Sequence, residues 1–481
     1  MHITAIVRIW GFFSIGFSLA MLPPIAISIG YNDGEAKHFI AAMALILVPG
    51  IIFWAISRRH SGELATRDGF IVVALFWAGI SMLAAWPFML GAHLNFVDAM
   101  FEAVSAVTTT GATVITGLDN LPPSLLFYRQ ELQWLGGMGM IVLAVAILPM
   151  LGVGGMQLYR AEAPGPFKEE KMTPRLAHTA RLVWMIYLAM TVANALAYWL
   201  AGMSPFDAIS HSLSTVSTGG FSTHDESLGY FHSSTIEAIA IVFMLLGAIN
   251  FSVHYLAWHN RRLSEYLRNT EVRTFLLFVL AMIIFVGLIL RTSGQYETLP
   301  PSIRNATFEV VSVVTSTGFG TVDFSHWPVF LPTLLIIISF VGGCGGSTAG
   351  GMKVMRVHLL VRQVMSEVTL LIHPQAVVPV RIGKRIMDTR TTEAVRGFLS
   401  VYVATFVVLM LLMMLAGLDQ VSAFSAIATC MNNLGPGLGQ VASTFSDVSD
   451  MGKIVSMVAM LLGRLEIFTI LVLLAPEFWR G

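Results

Sequence analysis

Apolar runs long enough to cross a bilayer recur from one end of the chain to the other, and shorter apolar stretches of about ten residues lie between them. The first two long runs, about 3–29 and 37–56, predict helices. Pro23-Pro24 should kink or end the first, because a proline pair removes two backbone donors. Four units of one design follow: long helix, short helix, glycine loop, long helix. Their long helices are predicted at about 69–90 and 127–151, 181–201 and 235–258, 273–290 and 329–364, and 397–415 and 453–474. The short ones are predicted at 96–107, 205–216, 303–314 and 421–430. A ten-residue helix is roughly 15 Å long, half the hydrocarbon core, so these segments should re-enter the membrane rather than cross it.

Each short helix runs into a related loop. Thr108-Thr109-Thr110-Gly111-Ala112-Thr113 is echoed by Val216-Ser217-Thr218-Gly219-Gly220-Phe221, by Thr315-Ser316-Thr317-Gly318-Phe319-Gly320 and by Asn432-Asn433-Leu434-Gly435-Pro436-Gly437. Recurrence at intervals of roughly one hundred residues marks an internal repeat. Glycine lets the backbone adopt dihedrals that a Cβ forbids. At membrane depth, non-helical backbone survives only where protein buries it or where it lines a watery cavity. Four such loops around one axis would present rings of carbonyl oxygens, the chemistry that replaces a potassium ion's hydration shell. The negative ends of the short-helix dipoles would add to the attraction for a cation. The predicted fold is therefore an all-α polytopic membrane protein with four helix–pore-helix–filter-loop–helix repeats in pseudo-fourfold arrangement around one pore, plus two N-terminal transmembrane helices. The expected segments are 1–66, then repeats at 67–160, 161–262, 263–380 and 381–481.

Composition agrees. Hydrophobic residues make up 56% of the chain and charged ones 12%, with a mean hydropathy of +0.75; no soluble domain has that balance. A net charge of zero argues against a nucleic-acid partner. The two cysteines, Cys344 and Cys430, fall in apolar motifs and read as free thiols. The N-terminal run is too long for a signal-peptide core and lacks a small-residue cleavage site, so it reads as a retained anchor.

Most of the 28 basic residues lie in connections on one side. They fall between the second helix and the first unit (Arg58, Arg59, Arg67), in the segment from Arg160 to Arg181, between Arg261 and Arg273, and from Lys353 to Arg396. By the positive-inside rule that side is the cytoplasm, which places both termini there, opens every glycine loop outward and gives ten crossings. The outer loops carry Asp119, Asp225, Glu226, Glu297, Asp323, Asp447 and Asp450, which would concentrate cations or simply solvate the surface.

Three further features stand out. Glu102 and Glu309 each lie nine positions before a loop glycine, with Ser210 and Ala426 taken as the equivalents elsewhere. They would tune the pore field or, as favoured here, brace the loops by accepting free backbone donors. The run Gly342-Gly343-Cys344-Gly345-Gly346-Ser347-Thr348-Ala349-Gly350-Gly351 interrupts an apolar helix. It lacks a preceding strand and the Lys-Ser/Thr ending of a phosphate loop, so it reads as a kink or as a flexible loop beneath the filter. Arg464 sits inside the last apolar run, where an arginine costs about 2.5–3.5 kcal/mol unless carbonyls or a cavity receive it. Glu466, two residues on, points to another face.

With Gln133-Trp134-Leu135-Gly136-Gly137-Met138-Gly139 and Gly463-Arg464-Leu465-Glu466, these motifs give the chain a resemblance, over nearly its whole length, to the Trk/Ktr/HKT superfamily of potassium transporters and within it to the bacterial TrkH branch. The resemblance implies potassium uptake across the inner membrane, channel-like or as a symporter, and no enzymatic activity. It implies a potassium-binding filter at Thr110, Gly111, Thr218, Gly219, Thr317, Gly318, Leu434 and Gly435, with potassium as the transported ion, no covalently bound cofactor and no other metal. It implies a gate built from residues 342–351 with Arg464 facing it. It also implies a homodimer and a cytoplasmic, TrkA-like nucleotide-binding ring that would carry the nucleotide. In that superfamily a serine at the first filter glycine accompanies sodium permeation, whereas Gly111 points to potassium. A sodium-permeable or sodium-coupled relative remains the nearest alternative. A polytopic enzyme or receptor would need polar clusters near the midplane, and none is evident in the sequence.

Overall fold

The computed structural model describes residues 3–57, 66–142, 175–328, 330–383, 385–465 and 467–480. It is helical throughout apart from a hairpin in which Arg381–Ile382 pairs with Arg385–Ile386. The N-terminal pair is α1 (Ile3–Ser18), a tight turn at Leu19–Met21, α2 (Leu22–Tyr31) and α3 (Ala36–Ser57). Pro23 and Pro24 fall in the first turn of α2, where a missing donor costs nothing, so they bend the run without ending it. Gly11 and Gly50 let α1 and α3 touch backbone to backbone: a Cβ on Gly11 would lie 2.7 Å from Trp54 N and 2.9 Å from Gly50 O.

The first repeat is α4 (Thr66–Leu90), α5 (Phe96–Val107) and α6 (Pro123–Val142). The second is α7 (Arg175–Leu200), α8 (Pro205–Val216), α9 (Ser234–Gly247) and α10 (Phe251–Asn260). The third is α11 (Thr270–Thr292), α12 (Leu299–Val314), α13 (Phe330–Ser339) and α14 (Val354–Ile372). The fourth is α15 (Thr389–Leu415), α16 (Gln420–Met431), α17 (Asp450–Arg464) and α18 (Phe468–Leu474). The short helices start where their side chains say they should. Asn95 caps α5 by accepting from Asp98 N, Ser204 caps α8 ahead of Pro205, and Asp419 caps α16. Nearly every residue in their last two turns is buried. The long first helices are the reverse: α11 and α15 bury only 28% and 22% of their most apolar windows, so their side chains face outward, as lipid contact requires.

Six described helical segments are long and apolar enough to cross a bilayer without a sharp break. The second long helix of repeats two to four, expected to be continuous in two cases, is broken in all three. The expected helix 235–258 bends by 97° between α9 and α10. Asn250 starts α10 anew by accepting from Ser252 N at 2.8 Å, and the freed Ala248 carbonyl is taken by Cys344 N at 2.9 Å. The run 329–364 stops at Ser339 and resumes at Val354, across the glycine stretch that the sequence marked. The expected helix 453–474 ends at Arg464, and Ile467 has a φ of 52° before α18 begins. The predicted stretch 143–151, the connection through Arg160 and Lys171, Arg58 and Arg59, and Glu466 lie outside the described residues.

Candidate functional site: a four-loop ring with a glycine-rich loop beneath it

The four short helices end in one backbone pattern. A residue with positive φ comes first: Thr109 (56°), Thr218 (52°), Ser316 (53°) and Asn433 (52°). The next N–H returns to a carbonyl five residues back: Thr110 to Ser105, Gly219 to Ser214, Thr317 to Ser312 and Leu434 to Thr429, each at 2.8 Å. A glycine with positive φ then follows: Gly111 (82°), Gly220 (79°), Gly318 (80°) and Gly435 (97°). The backbone thus shifts the second loop by one position from the register expected. Gly219 occupies the place of Thr110, Thr218 that of Thr109, and Gly220 is the counterpart of Gly111. The residue nine positions before it is His211, not Ser210.

These loops close on one another. A Cβ on Gly111 would collide with the Gly219 carbonyl, one on Gly220 with Thr317 O, one on Gly318 with Leu434 O, and one on Gly435 would crowd Thr110 O. The contacts run from loop one to two, three, four and back to one, so equivalent carbonyls of Thr110, Gly219, Thr317 and Leu434 form a closed ring of four. Glycine is required there twice over, for its dihedral and for the neighbouring oxygen. On one side the four glycines floor a cavity of about 490 Å³ that Glu226 and Asp323 also line. Partial burial alone would raise the Asp323 pKa, but hydrogen bonds from Ser325 and the neighbouring His326 hold it below the usual range, which favours a negative charge beside this cavity. Asp225 is used differently: it accepts from Gly117 N (3.1 Å) and Leu118 N (3.0 Å), tying loop one to loop two.

The carboxylates brace the loops. Glu102 accepts from Val114 N at 3.1 Å, from Thr113 Oγ1 and from Arg129 Nε at 2.7 Å. Arg129 in turn lies 4.1 Å over the Phe221 ring of the next repeat. Glu309 accepts from Thr321 N (3.0 Å) and Val322 N (3.4 Å). His211 does the corresponding work in loop two through Ser222 Oγ at 2.9 Å. In loop four Ser425 Oγ accepts from Leu438 N at 2.9 Å. Gln133 spans the second turn, donating to Gly219 O (2.6 Å) and accepting from Phe221 N (3.1 Å). In the divergent fourth loop, Asn432 accepts from Tyr402 Oη at 2.7 Å, and Asn433 donates to Thr110 Oγ1 at 2.9 Å, so its side chains buttress the ring. Arg129, Tyr402 and His211 carried no sequence signal, because the first two act through tertiary contacts and the third depends on the one-residue shift.

The glycine run lies directly against these loops where the short helices end. Thr348 Oγ1 shares its one proton between Val216 O (3.1 Å) at the end of α8 and Gly247 O (3.0 Å) at the end of α9, and it accepts from Thr218 Oγ1 at 3.2 Å. Gly350 N donates to Ser316 Oγ, and a Cβ on Gly350 would strike Asn432 O. Gly345 N donates to Glu271 Oε1 at 2.7 Å, anchoring the run to the start of α11, and Lys353 Nζ donates to Ala349 O. Cys344 and Cys430 are buried free thiols. Arg464 lies beside the run, as expected. Its Nη1 donates to Thr348 O at 2.9 Å and its Nη2 to Gly136 O at 3.2 Å, with the guanidinium 5.3 Å from the Trp77 ring. One arginine therefore joins the third repeat's loop to the first repeat's helix.

The described residues contain no cluster of histidine, cysteine and carboxylate side chains able to hold a metal. A family profile described as "TrkH: Cation transport protein" matches residues 35–480. The chain is 50% identical to the Trk system potassium uptake protein TrkH of Halomonas elongata, covering all of both chains. It is 47% identical to the protein of that name from Escherichia coli, again over all of both chains. The crystal structure of the potassium transporter TrkH from Vibrio parahaemolyticus superposes with a TM-score of 0.92 at 47% identity, each chain covered in full.

Proposed function

The chain belongs to the TrkH family of cation transport proteins, and we propose that it is the potassium-translocating subunit of a Trk-type uptake system in the bacterial inner membrane. It is a membrane transport protein and not an enzyme. The observation that carries the proposal is the closed ring of equivalent carbonyls at Thr110, Gly219, Thr317 and Leu434, each abutting the next loop's glycine. A dehydrated potassium ion on the ring's axis would exchange water oxygens for these carbonyls. The four short helices direct the negative ends of their dipoles toward the space beneath. Glu226 and Asp323 raise the cation concentration above it.

The stretch 342–351 acts as a gate in this reading. It occupies the inner exit of the ring, and Arg464 holds it there while placing a positive charge on the exit path. Opening requires the loop to leave Val216, Gly247 and Ser316, which a cytoplasmic partner would drive. The basic inner connections would bring both termini to the cytoplasmic side, where a homodimer would receive a TrkA-like nucleotide-binding ring. The relatives are named as proteins of a Trk system, which supports a partner subunit. Flux into proteoliposomes under imposed potassium, sodium and proton gradients tests the reading. Potassium uptake that sodium cannot replace is expected, and equal sodium flux would favour the sodium-permeable alternative.

A further inference from the structure

A second cavity, of about 400 Å³, opens away from the pore between α1, α4 and α6. Its walls are apolar: Phe13, Phe17, Phe76 and Ile80 face Leu132 and Met138 across it. Phe12 and Leu19 at its rim are 67% and 60% exposed on a surface that meets lipid, so the cavity is entered from the membrane. One carboxylate lines it. Glu131 is only 7% exposed, and no hydrogen bond from the described residues reaches its Oε2. The neighbouring acids of this repeat are occupied, Glu102 by Arg129 and Asp98 by Lys453. A carboxyl group left unsatisfied in an apolar chamber costs free energy that a complementary donor would recover. At the inner wall, Val107 and Gly136 line the same space, and Gly136 is the residue whose carbonyl receives Arg464.

We propose that this chamber is a binding site for membrane-dissolved hydrophobic amines, with the apolar body among the phenylalanines and the amine donating to Glu131. A cavity of this volume with one convergent polar group suits a drug-sized molecule. An ionised carboxylate of the same shape would set a second negative charge and only acceptor atoms against the Glu131 carboxylate, and should bind far more weakly than the amine. An aliphatic lipid tail would leave Glu131 unmatched. The site is separate from the ring and does not depend on which ion the protein carries.

The test uses full-length protein in nanodiscs and tritiated 1-aminoadamantane, with empty nanodiscs measuring simple partition. Saturable binding that unlabelled amine displaces and adamantane-1-carboxylate does not is expected. Glu131→Gln should weaken it by about tenfold, the effect of losing one charge-assisted hydrogen bond. Gly16→Leu should abolish it by filling the cavity, since Gly16 lines the chamber and a Cβ there meets nothing within 4 Å. Both variants are checked by gel filtration and thermal unfolding, and the second keeps the test open if the first does not fold. Binding no greater than in empty nanodiscs, equal displacement by the carboxylate, or unchanged binding in folded Gly16→Leu would overturn the proposal.

Discussion

Replacing Arg464 by alanine removes a side chain that hydrogen-bonds both the glycine run and the first repeat, through Thr348 O at 2.9 Å and Gly136 O at 3.2 Å. The loop keeps its other attachments: Thr348 N to Gly247 O, Cys344 N to Ala248 O, and Gly345 N to Glu271. The variant therefore loosens the closed state without dissolving it. A hydrogen bond from a charged donor is worth about 1.5–3 kcal/mol net. Losing the Thr348 bond should shift the closed-to-open balance by roughly ten- to a hundredfold, since 1.4 kcal/mol is a factor of ten. Rubidium uptake into proteoliposomes without any partner subunit reads this directly, and the basal rate should rise at least severalfold. Arg464→Lys should lie between, because a single ammonium cannot span two carbonyls as the guanidinium fork does. Deleting residues 345–347 should also raise basal flux, and combining it with Arg464→Ala should add little, because both remove the same latch. Basal uptake that is unchanged, or abolished in protein that still elutes as a folded species, would refute the latch.

Other outcomes follow from the same geometry. Gly220→Ala should damage potassium-over-sodium selectivity or assembly far more than Gly219→Ala. The first puts a Cβ on the Thr317 carbonyl at a φ of 79°, while the nearest atoms to the second belong to the Gln133 side chain rather than to backbone; flux ratios showing the opposite order would restore the register expected from sequence. Gly111→Ser should weaken discrimination against sodium, read as a permeability ratio, because its side chain would meet Gly219 O. In the segment after the second short helix, burial lowers the His224 pKa, but Asp207 (3.5 Å) and Asp119 (2.5 Å) outweigh it and raise it above 6.5. With Tyr230 stacked on one face and His211 nearby, these are the groups around it. Its stabilisation is full below pH 6.5 and is lost as pH rises through the raised value, so the thermal-stability gap between wild type and His224→Gln should shrink toward alkaline pH. Reversing the charges of Arg381, Lys384 and Arg385 together should weaken co-purification of a cytoplasmic partner while leaving the fold intact; unchanged co-purification would move the docking site elsewhere.

The sequence showed the repeat plan plainly, and two short helices, Phe96–Val107 and Pro205–Val216, were readable to the residue. Local chemistry marks those ends: Asn95 or Ser204-Pro205 at the start, and a Thr-Gly or Ser-Thr-Gly exit. The register of loop two was not readable. Gly219-Gly220 offers two adjacent residues of identical freedom, and only the closure of the ring decides which one takes the positive φ. The bend after Gly247 left a faint trace, an asparagine in an apolar run. Yet Asn250 becomes a helix cap only because Cys344, almost a hundred residues later, takes the carbonyl that the bend releases. Partners such as Glu271 for Gly345 and Arg129 for Glu102 are tertiary, and no spacing along the chain announces them. Arg464 was legible as an anomaly because charge in an apolar span demands a receiver, and the resemblance said where that receiver would be.

In the proposed function, four backbone carbonyls, one from each repeat, would hold the transported ion. Anomalous scattering from crystals of the protein grown in rubidium measures it directly. A peak is expected on the ring's axis, at coordinating distance from the carbonyls of Thr110, Gly219, Thr317 and Leu434 together, and it should be lost when sodium replaces rubidium. A ring empty of rubidium at concentrations that sustain uptake, or a peak that persists unchanged in competing sodium, would contradict it.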